Sequence, residues 1–273
     1  MLKRRQQQLS YLYAFFLVFI TPIALPIAVW TSIRGWVDAK IIVLTLIFYC
    51  ISGLGITVGY HRLLTHRSFQ AKPWLRKLLF IAGTFAMQGS PSSWASLHIQ
   101  HHRFADKAGD PHSPTQRGFW YAHCGWIFHD YQPNFRRYGK WLINDKEARH
   151  VSKYYLYYSN LGLVIPALLG GWMGFLWAGL VRVFFTSHMT WSVNSVCHRF
   201  GKRPFTQNNE HSTNHFLVAL FTFGEGWHNN HHRHLQMPFF GHKWYQIDMG
   251  KWLLLLLKRC GWVWDFKIKH SAS

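Results

Sequence analysis

Residues 41–66 read IIVLTLIFYCISGLGITVGYHRLLTH. The first twenty of them, 41–60, carry no charge. At about 1.5 Å of rise per residue, such a run crosses the roughly 30 Å hydrocarbon core of a bilayer. His61 follows at once and His66 closes the stretch. The reading is a membrane helix whose end delivers imidazoles to the membrane surface.

Two more histidine clusters lie further on, His98-Ile-Gln-His101-His102 and His228-Asn-Asn-His231-His232. Imidazole is the commonest protein ligand for transition metals. On an α-helix, positions i, i+3 and i+4 share a face, so each His-x-x-His-His box is expected to aim three imidazoles at one place. Eight box histidines exceed the about four ligands of a structural zinc site. They predict two metals in one site, held almost wholly by nitrogen. The chain has only ten carboxylates and no His-Glu-x-x-His protease motif.

Three other runs have the length and character of spans. Residues 11–30 are uncharged, and 154–169 and 172–197 flank Gly170-Gly171, where a tight turn is expected. Lys3, Arg4 and Arg5 precede the first run, as in a signal peptide, but its length and the lack of a small-x-small cleavage site favour a retained span. Residues 74–87 and 252–257 are apolar but too short to span, and read as interfacial. The expected fold is therefore all-α: four transmembrane helices and a cytosolic helical cap, 61–153 with 198–273, in one domain over 1–273.

A formal charge of +20 raises the question of nucleic acid. The placement of the bases answers it. Fourteen lie between Arg62 and Lys153 and ten from Arg199 onward. Bases concentrated beside spans mark the cytosolic side, near anionic lipid. Both termini and all three boxes are expected there, and no nucleic acid is expected as a partner. Cys50, Cys124, Cys197 and Cys260 show no C-x-x-C spacing and suit a reducing compartment.

Metals held by neutral imidazoles beside apolar spans point to dioxygen chemistry on an unactivated lipid C–H bond. Zinc has no redox use there, so two iron ions are the expected cofactor. With these boxes in this order between these spans, the chain resembles the integral-membrane fatty acyl desaturases, and within them the stearoyl-CoA Δ9 group. Asp110-Pro111-His112-Ser113, Arg117-Gly118-Phe119-Trp120 and Gly224-Glu225-Gly226-Trp227 match that family as well.

The resemblance implies a ninth ligand, His198, in Asn194-Ser-Val-Cys-His198, with Asn194 reaching the metal through water. It also implies that Trp191 lines an acyl channel. The implied ligand set is then His61, His66, His98, His101, His102, His198, His228, His231 and His232. Asp106, Asp110 and Glu225 are expected to accept the N–H groups of ligand imidazoles, with loop capping as the alternative. His123, His129, His150, His211, His215, His234, His242 and His270 have no matching ligand pattern. His188, inside the fourth run, faces either the site or a neighbouring helix.

The resemblance has two departures. Ser96-Leu97 stand where CoA-binding members carry Arg-Asp, and Asp130-Tyr131 where they carry a basic pair. The carrier of the acyl chain is thereby left open among CoA, another thioester and a lipid ester. The expected partners are a long-chain acyl substrate, dioxygen, membrane lipid and a separate electron donor, a ferredoxin or b-type cytochrome. A membrane hydroxylase with the same centre is the nearest alternative. A metal transporter is the other, although it would set its ligands at mid-membrane.

Overall fold

A computed structural model describes residues 11–129, 134–206 and 210–268. Lys3-Arg4-Arg5, Asp130-Tyr131 and His270 lie outside the described residues. Helix α1 is Tyr11–Ile33 and α2 is Ala39–Thr65. Helices α3 (Pro73–Thr84), α4 (Pro91–Phe104) and α5 (Lys146–Lys153) follow, then α6 (Tyr155–Gly174). Helix α7 begins as Phe175–Val181 and continues as Arg182–Ser195. Short helices α8 (Phe216–Phe221) and α9 (His228–Arg233) precede α10 (Met249–Arg259). Strands Gln70–Ala71 and Val263–Trp264 pair antiparallel and tie α3 to the end of α10.

Among the described residues, three helical segments are long and apolar enough to cross a membrane: α1, α2 and the run Tyr155–Ser195. Their outer faces leave Leu12, Phe19, Ile23, Ile42, Leu46, Tyr157 and Leu168 exposed. A surface this apolar suits hydrocarbon rather than water. The 41-residue run is not one straight rod. Gly171 has φ 59° and ψ −148°, which breaks it. The chain then doubles back, so that a Cβ on Gly174 would collide with the carbonyl of Pro166.

Arg182 fastens that hairpin. It is fully buried, and its partners follow from backbone rules. Pro166 has no N–H, so the carbonyl of Gly162 four residues earlier lacks its helical donor. Arg182 Nη2 supplies one at 2.6 Å, Nε donates to Ala178 O at 3.0 Å, and Nη1 donates to Phe85 O just beyond α3. One side chain thus joins α6, α7 and the α3 end.

Helix α3 packs tightly against α2. A Cβ on Gly55 would meet the backbone of Ala82 and Gly83, and one on Gly59 would meet the carbonyl of Leu79. Small residues let helix backbones approach closely where lipid gives no hydrophobic drive. The largest core cluster grows from this contact, through Tyr60, Leu63, Leu64, Leu79 and Phe80, to Leu142, to Val151 of α5 and to Leu254 of α10. The end of α2 is therefore packed by α3, α5 and α10 together.

Candidate metal centre

Helix α2 changes register before it reaches the histidines. Gly55–Thr65 is π-helical, and His66 N donates to His61 O at 3.0 Å. On an α-helix, with its turn of about 3.6 residues, positions five apart point to different sides. The i→i+5 pattern of a π-helix stacks them instead. That is how His61 and His66 face one place, with ring centroids 4.8 Å apart.

The second box sits on α4. Ser90 caps the helix by accepting from Ser93 N, and Pro91 follows at the first turn, where its missing N–H costs nothing. The third box is the short helix α9. Asn214 Oδ1 accepts the N–H groups of Asn229 and Asn230, which lack intrahelical partners.

The boxes do not each aim at one place. They divide between two groups. Ligand atoms of His61, His66, His98, His102 and His231 lie within 4.8 Å of one another. So do those of His101, His198, His228 and His232. On each His-x-x-His-His box the i and i+4 residues go to one group and the i+3 residue to the other. Positions i+3 and i+4 flank position i on opposite sides and are themselves about 100° apart on the helix. That angle is enough to serve two adjacent positions. Together the groups hold all nine histidines named from the sequence.

Carboxylates set the rings. His198 Nδ1 is 2.9 Å from Asp106 Oδ2, His101 Nδ1 is 3.0 Å from Asp110, and His232 Nδ1 is 2.8 Å from Glu210. His61 Nδ1 meets Glu225, which also accepts from Thr57 Oγ1. Burial alone would push the carboxyls of Asp106, Asp110 and Glu210 up. For Asp106, the hydrogen bond and charge of His198 overcome burial and hold it well below the usual range. His101 does the same for Asp110. Burial also opposes ionisation of Glu210, yet its hydrogen bond to His232 brings it down to about 2.

An ionised carboxylate only accepts, so each partner Nδ1 must donate. In a neutral imidazole each Nε2 is then a lone pair pointing inward. His101 and His232 both meet this condition, and their Nε2 atoms face each other at 3.4 Å. Two lone pairs at that distance repel unless a cation lies between them. The other facing Nε2 atoms are 2.8–3.0 Å apart: His98 with His102, His61 and His102 with His231, and His228 with both His198 and His232. With metal–nitrogen bonds of about 2.1 Å, neighbouring ligands sit about 3.0–3.4 Å apart, so the donor set fits two metal ions. His66 Nε2, buried without a hydrogen-bond partner, fits the same use.

Sequence reasoning named Asp106, Asp110 and Glu225 but missed Glu210. The available signal was scarcity: with ten carboxylates in the chain, each buried one is a candidate partner. Glu147-x-x-His150 and Glu225-x-x-His228 have the spacing used by carboxylate-bridged bundles. Neither carboxylate enters the groups, since Glu147 pairs with Arg76 at 3.7 Å and Glu225 holds His61. His188 turns away from both groups, with Nδ1 3.0 Å from His123 Nε2. His112 was also missed. It is buried beside His101 and Asp110, with its ring 5.3 Å from Trp126.

Two narrow, partly open cavities reach the site. Both are lined by Trp94, His98, Thr190 and Asn194. One continues past Tyr49, Gly53 and Phe223, the other past Trp191, Leu97 and Trp126. Trp94, unremarked in the sequence, stacks on His98 at 4.8 Å. Asn194 stands on the wall shared with His98, and Trp191 lines one arm.

A family model described as "Fatty acid desaturase" matches residues 39–246. The sn-1 stearoyl-lipid 9-desaturase of Anabaena variabilis is 38% identical over 239 residues, covering 86% of each chain. The hex-5-enoyl-[acyl-carrier protein] acetylenase of Moorena producens is 38% identical over 240 residues, 81% of this chain and 74% of its own. The acyl-CoA C20 Delta5-desaturase of Anemone leveillei is 37% identical over 226 residues, 81% of this chain and 72% of its own.

Proposed function

The chain belongs to the fatty acid desaturase family, and from that premise we propose that it is a dioxygen-dependent di-iron acyl-lipid desaturase that introduces a cis double bond, Δ9, into a long acyl chain. The observation that carries this reading is the convergence of nine imidazoles in two groups beside an apolar cavity system. Two iron ions held there would supply the reductive activation of dioxygen and the removal of hydrogen from an unactivated C–H bond.

The chain's own residues do the rest. Trp94, Trp191 and Thr190 form a wall that holds an extended acyl chain against the site and excludes water. Asn194 positions a water between the wall and the metals. Asp106, Asp110, Glu210 and Glu225 keep each Nδ1 proton in place, so the imidazoles remain neutral donors. Holding the carrier falls to the region of Ser96 and Leu97. Ser96 is buried and Leu97 lines a cavity, so the place of the charged Arg-Asp pair is neutral. That neutrality and the likeness to stearoyl-lipid desaturases support a lipid ester over CoA.

In this reading the break at Gly171 divides Tyr155–Ser195 into two spans, four in all. The basic residues then place both termini and the cap in the cytosol, and the whole chain works as one domain.

Expressing the chain in a host that makes only saturated acyl lipids tests the proposal. Monounsaturated lipids with a Δ9 cis bond, located by mass spectrometry, are expected. Hydroxylated chains would instead establish the hydroxylase alternative, and an unchanged lipid profile would refute both.

A further inference from the structure

The desaturase reading leaves an electron requirement. Forming –CH=CH– from –CH2–CH2– releases two electrons and two protons. Reducing dioxygen to two water molecules takes four of each. Two electrons and two protons must therefore come from outside, the electrons from a one-electron carrier protein that docks twice. The structure offers one surface wired to both metal groups.

That surface hangs from α9. His228 belongs to one group and His231 to the other, and between them stand Asn229 and Asn230, both buried. Their side chains point away from the metals and grip two surface loops. Asn229 Oδ1 accepts Phe205 N at 2.9 Å, and its Nδ2 donates to Phe205 O at 2.9 Å. Asn230 Nδ2 donates to Phe240 O at 2.8 Å and to Gln246 Oε1 at 3.1 Å. Gln246 Oε1 also accepts His242 N and Lys243 N, which fixes the loop tip.

The tip presents Trp244, 95% exposed, and Tyr245, 49% exposed. Lys243 reaches over Tyr245, its Nζ 5.9 Å from the ring centroid. The Phe205 loop carries exposed Lys202 and Arg203. His234 bridges the two loops, 5.4 Å from His242 and 5.8 Å from Phe205. An aromatic tip with a cationic rim has the composition of a recognition hot spot, and a cationic rim selects an acidic partner. Trp244 stands on a loop whose backbone is already fixed, so little backbone ordering is lost on binding.

We propose that the Trp244 tip and the Arg203 loop form the docking surface for a small acidic one-electron carrier protein, and that Asn229 and Asn230 link this surface to His228 and His231. The proposal rests on the desaturase reading.

The test uses the full chain purified with its metal in nanodiscs. Two donors are supplied in turn, a reduced plant-type [2Fe–2S] ferredoxin and a reduced soluble cytochrome b5 haem domain. Dithionite-reduced methyl viologen serves as a small donor that needs no docking. Lys202→Glu with Lys243→Glu is expected to raise KM for the accepted carrier about tenfold and to flatten its salt dependence. Trp244→Ala is expected to raise that KM by about fivefold. Turnover with methyl viologen and metal content should stay within about twofold of the parent, because neither substitution touches a ligand.

Binding of the oxidised carriers, measured without turnover, should weaken in parallel. Unchanged carrier KM and binding in all variants, or equal losses with both kinds of donor, would overturn the proposal. So would the absence of saturable, salt-sensitive binding of either carrier to the parent. A parent that makes no unsaturated product with any donor fails the desaturase reading, and the binding measurement still decides the docking surface. If the tip is instead a membrane contact, the variants leave carrier binding and carrier KM intact, which would overturn the proposal.

Discussion

His198→Ala is expected to abolish desaturation while the protein still folds into the membrane. His198 donates through Nδ1 to Asp106 at 2.9 Å and aims Nε2 at His228, 3.0 Å away. Its group has four imidazoles, so the substitution removes one ligand in four and strands a buried carboxylate. Removing only the partner behind a metal ligand loses about 10–100-fold in affinity or activity, so losing the ligand itself should cost about 100-fold or more. Metal content should fall by about one ion per chain, on the ligand-count argument. His188→Ala is the comparison. It lies ten residues earlier, on α7 itself, whereas His198 stands in the turn after the helix ends at Ser195. There His188 meets His123 rather than a metal group. Its loss should cost about one hydrogen bond, about 1 kcal/mol, and leave metal and most activity in place. Equal loss in both variants would mean general disruption of α7. Full metal and activity in His198→Ala would remove it from the centre.

Arg62→Ala is expected to be the most damaging substitution that touches no metal. Arg62 follows His61 and is completely buried. Its Nη2 donates to Asp248 Oδ1 at 2.8 Å and its Nη1 to Pro238 O at 2.9 Å. The guanidinium also lies 4.0 Å from the centroid of Phe240, whose ring packs against His61 and His231. Glycines at 224 and 250 make room for it, since a Cβ at either would collide with Arg62. Asp248 meanwhile accepts Phe240 N and caps α10 through Lys251 N. This single pair thus holds the end of α2, the loop after the third box and the start of α10 together. Removing one member of a buried pair leaves an uncompensated charge and costs about 3–5 kcal/mol. For a chain of this size that is roughly 10 °C of unfolding temperature in detergent. Arg62→Met with Asp248→Asn should lose less than the sum of the single changes, because the stranded charge is gone. Additive losses, or a Tm within about 2 °C of the parent for Arg62→Ala, would contradict this role.

Much of this was legible in the sequence. The uncharged runs announced the membrane helices, and Gly170-Gly171 marked where the chain reverses. The short apolar runs 74–87 and 252–257 lie largely on α3 and α10. The boxes and the Asn194–His198 pattern named all nine imidazoles. What stayed hidden depends on geometry that no spacing encodes. The π-helical register that stacks His61 on His66 arises where α2 packs through Gly55 and Gly59 onto α3. The division of each box between two groups depends on where the facing helices stand. Glu210 reaches His232 across a fold, twenty-two residues along the chain, and no local motif marks it. Arg182 falls within the 172–197 run, where no spacing accounts for it. Only the hairpin shows that it serves the carbonyl freed by Pro166.

The central claim is that these nine imidazoles hold two iron ions. Metal analysis of protein purified so that iron is retained, joined to spectroscopy of the ligand set, tests it most directly. The account predicts about two irons per chain with histidine-dominated ligation, the nuclearity following from ligand number. A single iron per chain, or ligation rich in carboxylate, would contradict it.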